Sequence, residues 1–290
     1  MLKVWNIVLI LLTFLLTLFG TFITRSGIIS SVHSFGESSL GWIFLGFLVV
    51  VLSMSLALLI YRLADLKSKN QLDSLLSRES AFLYDNLLLV GIAFTVFWGT
   101  VFPIISEAVR GLKITVGPPF FNTVITPIGL GLLFLTGLCP LVAWQRSTFT
   151  KFLGRIVYPF ALALTGAVAF LLLGIRSTYS LIAFSLCVFV TASLFLEFFN
   201  GVKARRYISG ENIPLAFWNL MSRNKRRYGG YIIHFGMVLA FVALGGNAFN
   251  ADKQITLRKG ESTRIQKYTI RYDTLSRYPT AHKETVVASL

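Results

Sequence analysis

The stretch Tyr228-Gly-Gly-Tyr-Ile-Ile-His-Phe-Gly-Met-Val-Leu-Ala240 follows the basic run Arg223, Lys225, Arg226 and Arg227 and continues apolar to about residue 247. A hydrocarbon core takes ~20 such residues per helical crossing, and Lys and Arg immediately before one mark a cytoplasmic boundary. The segment therefore reads as a membrane span that starts on the cytoplasmic side. It carries one ionisable group, His234, which counting from Tyr228 lies ~9 Å along the helix, too deep for so short a side chain to reach the interface.

Working outward, six more stretches have the same character. The seven together cover about 4 to 23, 40 to 61, 82 to 104, 124 to 144, 153 to 174, 178 to 200 and 228 to 247. With 55% hydrophobic and 13% charged residues and a mean hydropathy of +0.72, the chain is an all-α polytopic membrane protein over residues 1–250. Its short loops alternate in charge. One set holds Lys3, then Arg62, Lys67, Lys69 and Arg78, then Arg146, Lys151 and Arg155, then Lys203 to Arg227; the other holds only Arg25, Arg110, Lys113 and Arg176. The N-terminus is expected in the cytoplasm or matrix, and the tail on the opposite side of a bacterial inner or organellar inner membrane.

This alternation accounts for much of the formal charge of +15, which on a soluble chain would suggest a nucleic acid; here the partner is the lipid bilayer and no nucleic acid is expected. Residues 1–23 form a retained anchor, because the apolar run is long and Thr24-Arg25-Ser26 is a poor processing site. The two cysteines, Cys139 and Cys187, lie in separate apolar segments without CxxC spacing and read as small core residues. Asp85 and Glu197 fall near cytoplasmic helix ends and read as structural.

Residues 251–290 lose the apolar runs. Tyr268, Ile270 and Tyr272 alternate with Thr269, Arg271 and Asp273, and Gly260 is placed as a turn between this run and Ile255-Thr-Leu257. A small, incomplete β-rich extracytoplasmic segment is expected, too short to bury a core of its own.

Two outer loops stand out. In Lys113-Ile-Thr-Val-Gly-Pro-Pro-Phe-Phe-Asn122, Gly117 and the two prolines suggest an extended corner with Phe120 and Phe121 at the interface. Gly20-Thr-Phe-Ile-Thr-Arg-Ser-Gly-Ile-Ile-Ser-Ser-Val-His-Ser-Phe35 leaves the first helix with Arg25 and reaches an extracytoplasmic His33, either an idle surface residue or a ligand. For His234 two readings also stand: an imidazole hydrogen-bonded to a neighbouring helix, or an iron ligand beside a flat macrocycle. Gly229, Gly230 and Gly236 leave room for either.

These two loop motifs, together with Arg226-Arg-Tyr-Gly-Gly-Tyr-Ile-Ile-His-Phe-Gly236, resemble in this order the later part of CcmF-type cytochrome c haem lyases. The resemblance runs from the first helix into the tail and covers about the second half of the family's usual length. It implies a subunit or C-terminal part of an enzyme that receives haem from the chaperone CcmE and attaches it to the Cys-x-x-Cys-His thiols of apocytochrome c, alongside thiol-handling subunits. By the same resemblance His33 matches one of two extracytoplasmic ligands of the substrate haem. His234 matches one of two intramembrane ligands of a resident haem b that is thought to take electrons from quinol. Arg25 is a candidate contact for a haem propionate.

The family's tryptophan-rich WWD segment is not in this sequence, whose Trp5, Trp42, Trp98, Trp144 and Trp218 are scattered, and besides His33 and His234 the only histidine is His282. Neither haem site is completed by this polypeptide, so a separate N-terminal CcmF-like chain carrying the WWD segment and the missing ligands is expected. A truncated gene product is the alternative, since the sequence reaches Leu290 without the family's closing helix. Two rival functions remain: a transporter or channel, disfavoured by the sparse acidic residues, and a non-catalytic scaffold of the maturation complex.

Overall fold

The computed structural model describes residues 3–27, 40–66, 77–142, 149–249, 255–280 and 283–290. The helices in chain order are α1 (Lys3–Ser26), α2 (Leu40–Tyr61), the single turn α3 (Leu63–Leu66), α4 (Arg78–Arg110), α5 (Pro118–Leu138), α6 (Phe149–Leu172), α7 (Thr178–Ser209), α8 (Ile213–Arg223) and α9 (Lys225–Gly245). Seven of them, all but α3 and α8, are long and apolar enough to cross a membrane.

Within apolar surroundings each polar group must find a partner in its own segment or in a neighbouring one. In α1 the hydroxyls of Thr13, Thr17, Thr21 and Thr24 donate to the carbonyls of Leu9, Thr13, Thr17 and Gly20 at 2.8–3.1 Å, which keeps a threonine-rich helix apolar on its outside. At the start of α4, Ser77 Oγ accepts from the Ser80 amide at 3.2 Å, an N-cap that lets both serines be buried. Gly111 ends α4 with φ 67°, its amide donating to Glu107 O at 2.9 Å.

The hub is α7, against which α5, α6 and α9 all pack. Phe189, Val190, Ser193 and Leu194 are buried on it. Small residues set the approach: a Cβ at Gly137 of α5 would lie 2.8 Å from the Phe189 ring and 3.1 Å from Val190 Cα. Close backbone approach substitutes dispersion contact for the hydrophobic force that lipid does not supply. The α1–α2 hairpin stands apart from this hub, joined at Gly41 against Ser26 and reaching α4 through Phe19 against Phe97, ring centroids 5.5 Å apart.

Several sequence expectations need correction. The corner at residues 113–122 is extended only as far as Gly117; Pro118 and Pro119 begin α5. Proline suits the first helical turn, where its missing N–H is not needed, so the fourth crossing starts earlier than residue 124. α4 and α7 run on past their expected ends, because the polar turns that flank a span continue the helix into the interface. The basic stretch before Arg223 contains the helix α8, capped by Asn212 Oδ1 accepting from Leu215 N at 3.1 Å and burying Ala216 and Leu220.

The tail forms two separate antiparallel hairpins, β1 (Ser262–Ile265) with β2 (Tyr268–Arg271) and β3 (Thr274–Thr280) with β4 (Lys283–Ser289). Gly260, with φ 84°, does sit in a turn, but one preceding β1. Gln266 and Lys267 make the hairpin turn, and residues 255–257 are not a strand.

Candidate functional site

Helix α9 presents two unlike faces. Tyr228, Tyr231, Val238 and Gly245 share the stripe turned to α7 and are buried. At its start this stripe carries a polar cluster. The Glu197 carboxylate of α7, its side chain 9% exposed, accepts from the Arg227 guanidinium and from Tyr231 Oη at 3.3 Å, and Arg227 Nε donates to the same Tyr231 oxygen at 3.0 Å. Phe198 packs on both tyrosines, its ring centroid 5.0 Å from that of Tyr228 and 5.9 Å from that of Tyr231. Every member of the cluster is satisfied, so it locks the rotation of α9 about its own axis against α7.

His234, three residues after Tyr231 and four before Val238, lies beside the same stripe, on its edge towards Asp85 of α4. It is partly buried, and its Nδ1 is fully shielded yet has no hydrogen-bond partner among the described residues. A Cβ built at Gly229, Gly230 or Gly236 would meet nothing within 4 Å among the described residues; Gly230, four residues before His234, is beside the ring, while Gly229 and Gly236 lie on the outer face of the helix. The charged group in electrostatic contact with the imidazole is Asp85 of α4. Asp85 Oδ2 in turn accepts from Cys139 Sγ, just past the end of α5, at 3.8 Å.

An orphaned buried imidazole nitrogen costs about 1–3 kcal/mol, and a helix has no reason to carry it through an apolar layer unless something else uses the ring. The donor chemistry fits a haem iron, which takes one imidazole per axial position and needs a flat space beside it. Among the described residues no three His, Cys, Asp or Glu side chains gather as a metal-ion site.

An apolar cavity of about 1250 Å³ lies on a different side of α9, between α6, α7 and α9, with Phe184, Phe195, Phe235 and Val238 among its walls. His234 does not line it. Cys187 also borders it, its thiol donating to Val238 O at 3.7 Å, consistent with the small core role expected for that residue.

His33 and His282 lie outside the described residues. Arg25 sits in the last turn of α1. Asp85, read from sequence as structural, is the residue that linear reasoning undervalued. It stands inside the apolar stretch 82–104, one of only 12 acidic residues in 290, and the rule that singled out His234 applies to it equally. Tyr228, the first residue of the apolar stretch, is 3% exposed and part of the hub.

No family model matches the chain. Among curated proteins it is similar to the cytochrome c-type biogenesis protein CycK of Rhizobium meliloti, 30% identical over 274 residues that make up 94% of this chain and 40% of that one. The ccl1 protein of Rhodobacter capsulatus is 32% identical over 273 residues, 93% of this chain and 40% of its own length. CcmF of Escherichia coli is 28% identical over 268 residues, 92% and 39% respectively. A solved structure described as cytochrome c heme lyase CcmF superposes with a TM-score of 0.65 at 27% identity, over 99% of this chain and 41% of that chain. The chain thus spans about 40% of the length of the relatives it matches.

Proposed function

We propose, from the premise that this chain is a homologue of part of the CcmF and CycK cytochrome c biogenesis proteins, that it supplies one axial ligand to each of two haems in a cytochrome c haem lyase. His234 holds a resident haem b within the membrane, and His33 receives the substrate haem outside it. The observation that carries this reading is the shielded Nδ1 of His234, which has no hydrogen-bond partner among the described residues.

The residues of this chain bind, orient and exclude. The Glu197–Arg227–Tyr231 cluster fixes α9, so that the ring at residue 234, one turn on along the same stripe, is presented towards Asp85 of α4. Gly230, one turn before the ring, keeps the space beside it clear for a flat macrocycle. The apolar helices withhold water and so raise the weight of every charge near the ring. When bound, the resident haem supplies one-electron chemistry that keeps substrate iron reduced, with quinol as the electron source. His33 offers an imidazole to haem delivered by CcmE, and Arg25, eight residues before it in sequence, pairs with a propionate. Thioether formation itself adds the thiols of the apocytochrome motif across the vinyl groups of the substrate. Its remaining ligands and the WWD segment come from a partner chain resembling the other part of the family.

The test is optical. Co-expressed with such a partner and purified, the chain is expected to show the bands of a low-spin b-type haem, and His234→Ala to abolish them. Bands that persist at full strength in that variant overturn the assignment.

A further inference from the structure

The imidazole of a metal-bound histidine has two nitrogens, and the one away from the metal nearly always donates to a carboxylate, a carbonyl or water. At His234 that second nitrogen has no partner among the described residues, although it is shielded. The helix geometry narrows the search for one. Asp85 lies seven residues into α4, about 10 Å along it, and His234 nine residues into α9, about 14 Å along it, so the two groups sit at similar depth from the same end of the bundle. Cys139, at the end of the antiparallel α5, reaches this level from the opposite direction and donates its thiol to Asp85 Oδ2 at 3.8 Å. A carboxylate has about four acceptor positions over its two oxygens, and one thiol leaves most of them free. Among the described residues no other acidic group is in electrostatic contact with His234, and Asp85 has no cationic partner among the described ion pairs.

We propose that Asp85 is the positioning residue of His234: its carboxylate accepts a hydrogen bond from imidazole Nδ1, directly or across one water, which turns Nε2 outward as the ligating nitrogen and increases its electron donation. The Cys139 thiol holds the carboxylate in place and moderates its charge. This assignment rests on the resident-haem reading above and adds to it which tautomer is used and what sets the potential. A ligand made more anionic by a carboxylate stabilises ferric over ferrous iron, so Asp85 holds the midpoint potential low.

The experiment uses the purified complex loaded with hemin, comparing wild type with Asp85→Asn and Asp85→Glu. Asp85→Asn is expected to keep b-type bands, to retain hemin about 10- to 100-fold less tightly, to raise the ferric/ferrous midpoint potential, and to shift the electron paramagnetic resonance of the low-spin ferric haem towards weaker axial donation. Asp85→Glu is expected to return potential and resonance towards wild type, which a merely structural role for residue 85 would not produce. If the asparagine variant does not accumulate, Cys139→Ala reads the same quantity, because a carboxylate freed of its thiol donor pulls harder on the imidazole and lowers the potential. A wild-type complex that binds no hemin overturns the haem reading and this assignment with it. Full hemin binding with unchanged potential and resonance in Asp85→Asn, or in Cys139→Ala where that is the variant measured, overturns the assignment of Asp85 alone.

Discussion

Two polar positions one turn apart on the inner stripe of α9 treat their atoms in opposite ways. Towards α7, Glu197, Arg227 and Tyr231 satisfy one another and are enclosed by aromatic rings. Three residues on, the Nδ1 of His234 is shielded and has no hydrogen-bond partner among the described residues, and Gly230 beside it leaves the space clear. A satisfied polar cluster in an apolar layer is scaffolding, whereas an unsatisfied one held in a fixed orientation is a place kept for a ligand. The contrast teaches that burial of an ionisable residue does not by itself mark a functional site; an unmet hydrogen-bonding capacity does.

That contrast can be broken by mutation, and the largest effect belongs to the satisfied cluster. Arg227→Ala strands the Glu197 carboxylate with only a tyrosine hydroxyl and is expected to lower unfolding stability in detergent by about 3 kcal/mol, measured by thermal unfolding of the ligand-free chain. An unchanged melting temperature would show that the cluster does not hold α9.

Gly201→Ala comes next. A Cβ there would collide with the Tyr228 hydroxyl and lie 2.9 Å from Leu220 Cδ2, so overpacking should cost about 2 kcal/mol in the same assay.

At His234 the sign reverses. His234→Leu in the ligand-free chain removes an unsatisfied nitrogen and is expected to raise stability by about 1 kcal/mol. Gly230→Ala, one turn before the ring, meets no neighbour and should add up to about 1 kcal/mol through helix propensity, while weakening hemin retention by crowding the macrocycle. Destabilisation by either change would mean that the space beside the ring is packed as tightly as the cluster at Tyr231.

The smallest effect is electrostatic and lies outside the membrane, in the loop before α8. Hydrogen bonds from Arg205 Nε and Nη2 at 2.7 and 2.8 Å hold the Glu211 carboxyl below its ordinary value of 4.5. A group whose folded value is depressed contributes stability that is present above its unfolded value and is lost as pH falls through the folded one. The melting temperature should therefore decline slightly on acidification below 4.5, and Glu211→Gln should remove that part of the decline.

How far the sequence carries the reader differs from one element to the next. The seven crossings were legible because ~20 apolar residues in a row have few alternatives in water. Helix α8 was not, since an 11-residue amphipathic helix leaves no long apolar run and depends on the groove at Gly201 to bury Ala216 and Leu220. The start of α5 was misplaced because two prolines serve an extended corner and a first helical turn equally well. In the tail, alternation over Tyr268 to Tyr272 identified a strand correctly, but strand partners depend on the turn, and Gln266 with φ 50° supplies it where a glycine was expected to.

The same division holds for the site. His234 stood out in one dimension, because a lone ionisable group in an apolar helix is conspicuous whatever surrounds it. Its neighbours did not: Asp85 and Cys139 lie 149 and 95 residues away in the chain and meet near the ring only through the antiparallel packing of α4 and α5.

Composition and hydropathy alone determined that this is a seven-crossing helical membrane protein with one imidazole at depth, because the cost of placing polar groups in hydrocarbon acts locally along the chain. Only the tertiary structure decided which stripe of α9 is locked against α7, which carboxylate lies near the histidine, and that its Nδ1 has no hydrogen-bond partner among the described residues. Those facts depend on how helices distant in sequence are rotated against one another, and a single helix's pattern carries no information about its partner's rotation.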